Sequence, residues 1–103
     1  MFGNGVRLLG GYVYIVANRK HGTLYTGVTN DIARRTFEHR EGTGSRFAAK
    51  HGATRLVHVE VHEEIEAAII REKRIKKWKR AWKVALIEEM NPDWRDLWFD
   101  LNR

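Results

Sequence analysis

A chain of 103 residues with 43% hydrophobic content can build one modest core, and it shows no linker at which to divide it. The absence of cysteine excludes disulfides and thiolate metal sites and fits a reducing cytoplasm, while no apolar run is long enough to cross a membrane. A formal net charge of +6 becomes informative only where it is localised, well down the chain.

Residues 1–10 hold one basic residue and too short an apolar run for a secretory signal, so they read as a flexible leader before a single domain over residues 11–103. Tyr12 to Ala17 is rich in β-branched and aromatic residues, Asn18 to Gly22 is turn-prone, and Thr23 to Val28 is a second short run, which together predict a hairpin. Side chains alternate faces along a strand. Tyr12, Tyr14 and Val16 therefore share one face of the first strand, and Tyr25 and Gly27 share one face of the second. In a favourable register, two phenols and a bare glycine backbone form one floor. Asn30 or Asp31 can cap a helix from Ile32 to Arg40, in which Arg35 and His39, four apart, project from the same side toward that floor.

These residues resemble the GIY-YIG endonucleases, and among them the small stand-alone bacterial members. Tyr12-Val13-Tyr14 stands where GIY is expected and Tyr25-Thr26-Gly27 where YIG is expected. Arg35 and His39 stand where the family has its helix arginine and its histidine or tyrosine partner. The resemblance covers Gly11 to Leu97 and departs at Tyr12 for Gly, at Thr26 for Ile, and at Val28, where some relatives place a lysine that would activate Tyr25. It implies an α/β fold, a small three-stranded antiparallel sheet flanked by helices.

Further along, Glu41 to Gly44 is a loop and Ser45 can cap a short helix ending at Gly52, a flexible rim to the floor. Arg55 to Val61 alternates and reads as the third strand; His58, Glu60 and His62 would share a face, as a metal trio or, more commonly for such residues, a solvated strand end. From Glu63 the chain is helical, with Ile65, Ala68, Ile69, Glu72, Ile75, Lys76 and Lys79 at the spacing of one stripe. Glu72 falls inside that seam, where a carboxylate needs a cation, either a metal ion or an arginine such as Arg35. By the resemblance Glu72, in Arg71-Glu72-Lys73, matches the metal-binding glutamate, and one carboxylate is enough for Mg²⁺ (or Mn²⁺), which keeps several waters.

The positive charge is concentrated in Arg71 to Lys83, where Arg71, Lys73, Arg74, Lys76, Lys77, Lys79, Arg80 and Lys83 face one acid, Glu72. A basic stripe interleaved with Trp78 and Trp82 suits a polyanion, since cations displace condensed counterions and indoles can stack on bases. The alternative is a solvated face with the tryptophans packed inward, and for the tryptophans that is the expectation. A helix from Lys79 to Met90 is broken by Asn91-Pro92, and Asp93 can cap a last turn through Trp94, Leu97, Trp98 and Leu101, aromatics that read as core cover. Asn91 could match an asparagine that helps the metal site in relatives. No serine elbow, P-loop or dinucleotide glycine fingerprint is present.

What the resemblance implies is a metal-dependent endonuclease acting on DNA in preference to RNA, structured or single-stranded. Glu72 would hold the metal at the scissile phosphate and Arg35 would offset charge in the transition state. Tyr25, ahead of Tyr14, would take a proton from water, with its pKa depressed by nearby cations, and His39 would orient it or relay the proton. The rival is a non-catalytic nucleic-acid-binding module on the same scaffold.

Overall fold

In Gly11–Ala17 (β1) no residue carries a charge, so the strand can be paired on both edges and covered on both faces. It is the centre of the sheet. The computed structural model describes residues 10–101, and the leader expected at the N-terminus lies outside them but for its last residue. Leu24–Thr29 (β2) and Arg55–His62 (β3) flank β1 in the order β2-β1-β3, both antiparallel, as the α/β reading requires. The hairpin closes through Asn18, whose Oδ1 accepts the Thr23 N–H at 2.9 Å.

Alternation along β1 creates two cores. Val13, Ile15 and Ala17 pack into one with Ala68, Ile75, Ile87 and Trp94, while Tyr14 and Val16 pack into the other with Ile32, Ala48 and Leu56. A register shift opposite Ile15 and Val16 inserts an extra residue in β3, so the adjacent Leu56 and Val57 are both buried, one in each core.

Among the described residues five helices frame the sheet: Ile32–Arg40 (α1), Arg46–Lys50 (α2), Ile65–Lys76 (α3), Arg80–Met90 (α4) and Trp98–Leu101 (α5). Asp31 caps α1 through Oδ1, which accepts the Arg34 N–H at 3.1 Å, and Gly42 ends it in the left-handed region at φ 79°. Ser45 caps α2. On α3 the sheet-facing positions are Ala68, Glu72 and Ile75; Ile69 is exposed, and the helix stops at Lys76, so Lys79 lies outside the stripe as the N-cap of α4.

The chain end differs from the expected Asp93-capped turn. Trp94 is fully buried at φ 56°, its Nε1 donating to Glu88 at 2.8 Å, and α5 begins only at Trp98. Asp96 organises the segment instead, because it sits where β3 and α1 both present donors. Its Oδ1 accepts the N–H groups of Leu56 and Trp98, each at 3.1 Å, and its Oδ2 takes Arg40 at 2.6 Å. No helix among the described residues is long and apolar enough to cross a membrane.

Candidate active site

The strand register decides which groups meet. Tyr14 pairs with Gly27 and Val16 with Tyr25, so both phenols rise from one face. The Tyr14 ring lies across Gly27, where an added Cβ would come within 2.3 Å of the Tyr14 hydroxyl; any side chain there would displace the phenol. Tyr14 is fully buried, and its hydroxyl lies 2.9 Å from Nε2 of His39 while accepting from Nε of Arg35 at 3.3 Å. Nη1 of Arg35 also donates to Glu38 at 3.1 Å. The i, i+4 pair of α1 thus ends on a single oxygen. Tyr25 packs its ring 5.4 Å from that of His39 and 6.4 Å from that of Tyr14, yet its hydroxyl makes no hydrogen bond among the described residues. Tyr25 is expected as the base ahead of Tyr14, but the central strand brings Tyr14 to the hub, and Tyr25, on an edge strand, forms its wall.

Burial governs the protonation states. It pushes the Tyr14 phenol up to about 12, with the Arg35 bond only partly opposing it, so at Tyr14 the phenol is raised rather than depressed. Burial, reinforced by the Arg35 charge, lowers the imidazole of His39, which is therefore neutral at pH 7. Burial works against the Arg35 charge, but its bonds to Tyr14 and Glu38 outweigh that and raise its pKa. Arg35 can only donate, so the Tyr14 oxygen accepts from it and its own proton is free to go to Nε2 of His39. That arrangement places the imidazole proton on Nδ1, which is buried without a partner among the described residues, beside Gly44, where a Cβ would lie 2.8 Å from it.

Glu72 is 6% exposed, and its carboxylate is among the charges felt by the Tyr14 hydroxyl. The cation neutralising it is neither Arg35 nor a second arginine but Lys76, one helical turn on, at 2.5 Å from Oε2. Oε1 makes no bond among the described residues, which leaves a hard oxygen donor of the kind Mg²⁺ takes along with waters and substrate oxygens. The described residues hold no cluster of three or more metal-ligating side chains. His58, Glu60 and His62 do share a face, but Glu60 accepts from both imidazoles at 2.9 and 3.2 Å and from Arg71 at 3.0 and 2.9 Å. Those bonds outweigh burial and hold its carboxyl far below the usual range. The trio is a structural clamp.

The GIY-YIG catalytic domain family matches residues 10–85, a span that contains Tyr14, Tyr25, Arg35, His39 and Glu72. The chain belongs to the GIY-YIG family. It is 41% identical over 78 residues to a UPF0213 protein of Haloquadratum walsbyi, covering 76% of this chain and 86% of that one. It is also 39% identical over 83 residues to a UPF0213 protein of Syntrophus aciditrophicus, covering 80% and 93%. A solution structure of a UPF0213 protein from Bacillus halodurans aligns over 78% of this chain and 84% of that one, at 34% identity and a TM-score of 0.49. The names of these three state no reaction.

In this GIY-YIG domain the basic segment is not one free stripe. Arg71 is forked onto Glu60 and lies 5.2 Å from the Trp78 ring centroid, and Lys76 is on Glu72. Arg80 donates to the carbonyls of His21 and Gly22, tying α4 to the hairpin turn, and Lys83 reaches the Lys76 carbonyl at 3.4 Å. Lys73, Arg74, Lys77 and Lys79 are exposed and make no side-chain bond among the described residues. Trp78 is half-buried, but Trp82 is 56% exposed, contrary to the inward packing expected of it, because α4 starts after a turn that swings its first residues off the core. Asn91, the suggested metal helper, is buried with its amide engaged: Nδ2 donates to the carbonyls of Val57 and Arg95, and Oδ1 accepts the Arg95 N–H. It pins the end of α4 to β3. Asp96 carries weight that the sequence pattern did not signal, since it acts through partners distant along the chain, and Gly44 does so by its close approach to His39.

Proposed function

We propose that this GIY-YIG protein is a metal-dependent endonuclease that hydrolyses phosphodiester bonds, acting on DNA in preference to RNA. The observation carrying the reading is the convergence of Arg35 and neutral His39 on the Tyr14 hydroxyl. A phenol with a pKa of about 12 is not ionised at neutral pH, so it serves as a base by exchange. The Tyr14 oxygen takes a proton from the attacking water while its own proton passes to Nε2 of His39. Arg35, whose side chain is 34% exposed, offsets charge developing on the phosphate oxygens. Glu72 would hold Mg²⁺ or Mn²⁺ through the oxygen that Lys76 leaves open, and the bound metal would supply Lewis-acid stabilisation of the phosphate. A water nucleophile needs no ribose 2′-hydroxyl, so DNA can serve as the substrate. Tyr25 as the base is the second assignment.

Glu72→Gln should abolish Mg²⁺-dependent cleavage while leaving DNA affinity within a few-fold, because it removes the metal ligand and not the basic surface. Cleavage by the mutant at the parental rate would overturn the role of Glu72. One observation favours the rival, a binding module without turnover: Lys76 already neutralises Glu72. Single-stranded, duplex and branched DNA, each with and without Mg²⁺, decide between them. Binding in every lane with cutting in none identifies the module.

A further inference from the structure

The short helix α2 buries only Ala48, which packs into the core beneath Tyr14. A helix turns by about 100° per residue, so anchoring Ala48 swings Phe47 sideways toward Tyr25 and leaves it 48% exposed. Its ring stacks on Tyr25 at 6.4 Å between centroids with planes 30° apart, and His51, one turn on, lies 4.6 Å from it. Tyr25 in turn packs on His39 and Tyr14, with the Lys76 ammonium 5.9 Å from its ring centroid. The rings form a continuous column, open to solvent at Phe47 and His51 and closed at the Tyr14 hydroxyl. The two polar residues of α2, Arg46 and Lys50, are exposed cations with no side-chain partner among the described residues, and the helix carries no acid.

We infer that Phe47 and His51 form a base-stacking subsite for an unpaired nucleotide next to the scissile phosphate, with Arg46 and Lys50 on the adjoining phosphates. The inference rests on the nuclease reading and names the substrate feature that this site selects. An exposed phenyl flanked by cations fits a nucleobase, because every base offers a π-face and brings phosphates with it. A fully paired duplex keeps its bases stacked on one another and presents no free face to the column. Strands, flaps and bulges do.

The test is binding by the full chain in chelator, where cleavage is off, to a single strand carrying 2-aminopurine at successive positions and to the duplex of the same sequence. The parental protein should quench the probe at one position. Phe47→Leu keeps apolar cover over Tyr25 but removes the ring. It should lose about tenfold or more in single-strand affinity together with the quench, and change duplex affinity by less than about threefold. Phe47→Trp should retain both affinity and quench. Parental single-strand binding by Phe47→Leu, or equal losses on strand and duplex, would overturn the subsite. Should no metal support cleavage while Phe47→Leu still loses the single strand selectively, the nuclease reading fails and the subsite stands. Cleavage with no Phe47 effect is the reverse case.

Discussion

A hydroxyl that accepts from a guanidinium has its own proton to give, and this gives the two tyrosines different work. Tyr14→Phe removes the exchanging proton but keeps the ring over Gly27, so single-turnover cleavage should fall by about 10²- to 10⁴-fold. Tyr25→Phe, which loses no hydrogen bond among the described residues, should stay within about tenfold. A parental rate for Tyr14→Phe beside a large loss for Tyr25→Phe would transfer the base to Tyr25. The pH profile follows from the same groups. Because the His39 pKa is lowered, Nε2 fills with a proton only below the ordinary imidazole value of about 6.5, and the acid limb of activity should lie there. Tyr14, at about 12, should produce no limb near pH 10. The unfolded chain protonates its His39 first, so stability also declines as pH falls below about 6.5, and rates belong to the range where melting shows an intact fold. Face alternation brought Tyr14, Tyr25 and Gly27 to one floor, and helical spacing brought Arg35 and His39 to it. Which phenol they reach was not readable, since that depends on the pairing of β1 with β2.

Strands and helices were readable where local chemistry decides them: the β-branched and aromatic run of β1, the cap at Asn30 or Asp31, which the structure gives to Asp31, the Ser45 cap, and the loop from Glu41 to Gly44. The chain end was not, because its organiser acts across the fold. Asp96 joins α5 to β3 through Leu56 and to α1 through Arg40, whose guanidinium also lies 4.4 Å from the Trp98 ring centroid. Nothing near Asp96 in the sequence announces partners 40 and 56 residues away. Asp96→Ala leaves two N–H groups and one guanidinium without this acceptor and should cost roughly 2–3 kcal/mol. For a chain of this size that lowers Tm by roughly 8–20 °C. Asp96→Asn keeps an acceptor for the two N–H groups and weakens only the pairing with Arg40, so its loss should be smaller. Thermal denaturation of both variants checks the order. An unchanged Tm for Asp96→Ala would show that the clamp does not hold the chain end.

At the scale of the molecule, the excess positive charge of the sequence separates into two populations that composition cannot distinguish. Arg71 and Arg80 hold the structure together, one on Glu60 and one on the hairpin turn, while Lys73, Arg74, Lys77 and Lys79 stand free around the turn that follows α3. That turn begins one residue after Lys76, which is itself on Glu72, so the free cations adjoin the proposed metal ligand. Counterion release makes this division measurable. Each phosphate contact removed should flatten the slope of log affinity against log salt by about 0.9 on duplex DNA and about 0.7 on single strands. Replacing Lys73, Arg74, Lys77 and Lys79 by Gln should therefore weaken binding and reduce the slope by roughly three units, with the melting temperature little changed. Arg71→Gln and Arg80→Gln should do the opposite, lowering the melting temperature while leaving the slope within about half a unit. A slope that stays put in the fourfold variant, or falls in the two arginine variants, would mean that the nucleic acid approaches another face and that the turn beside Glu72 is not its track.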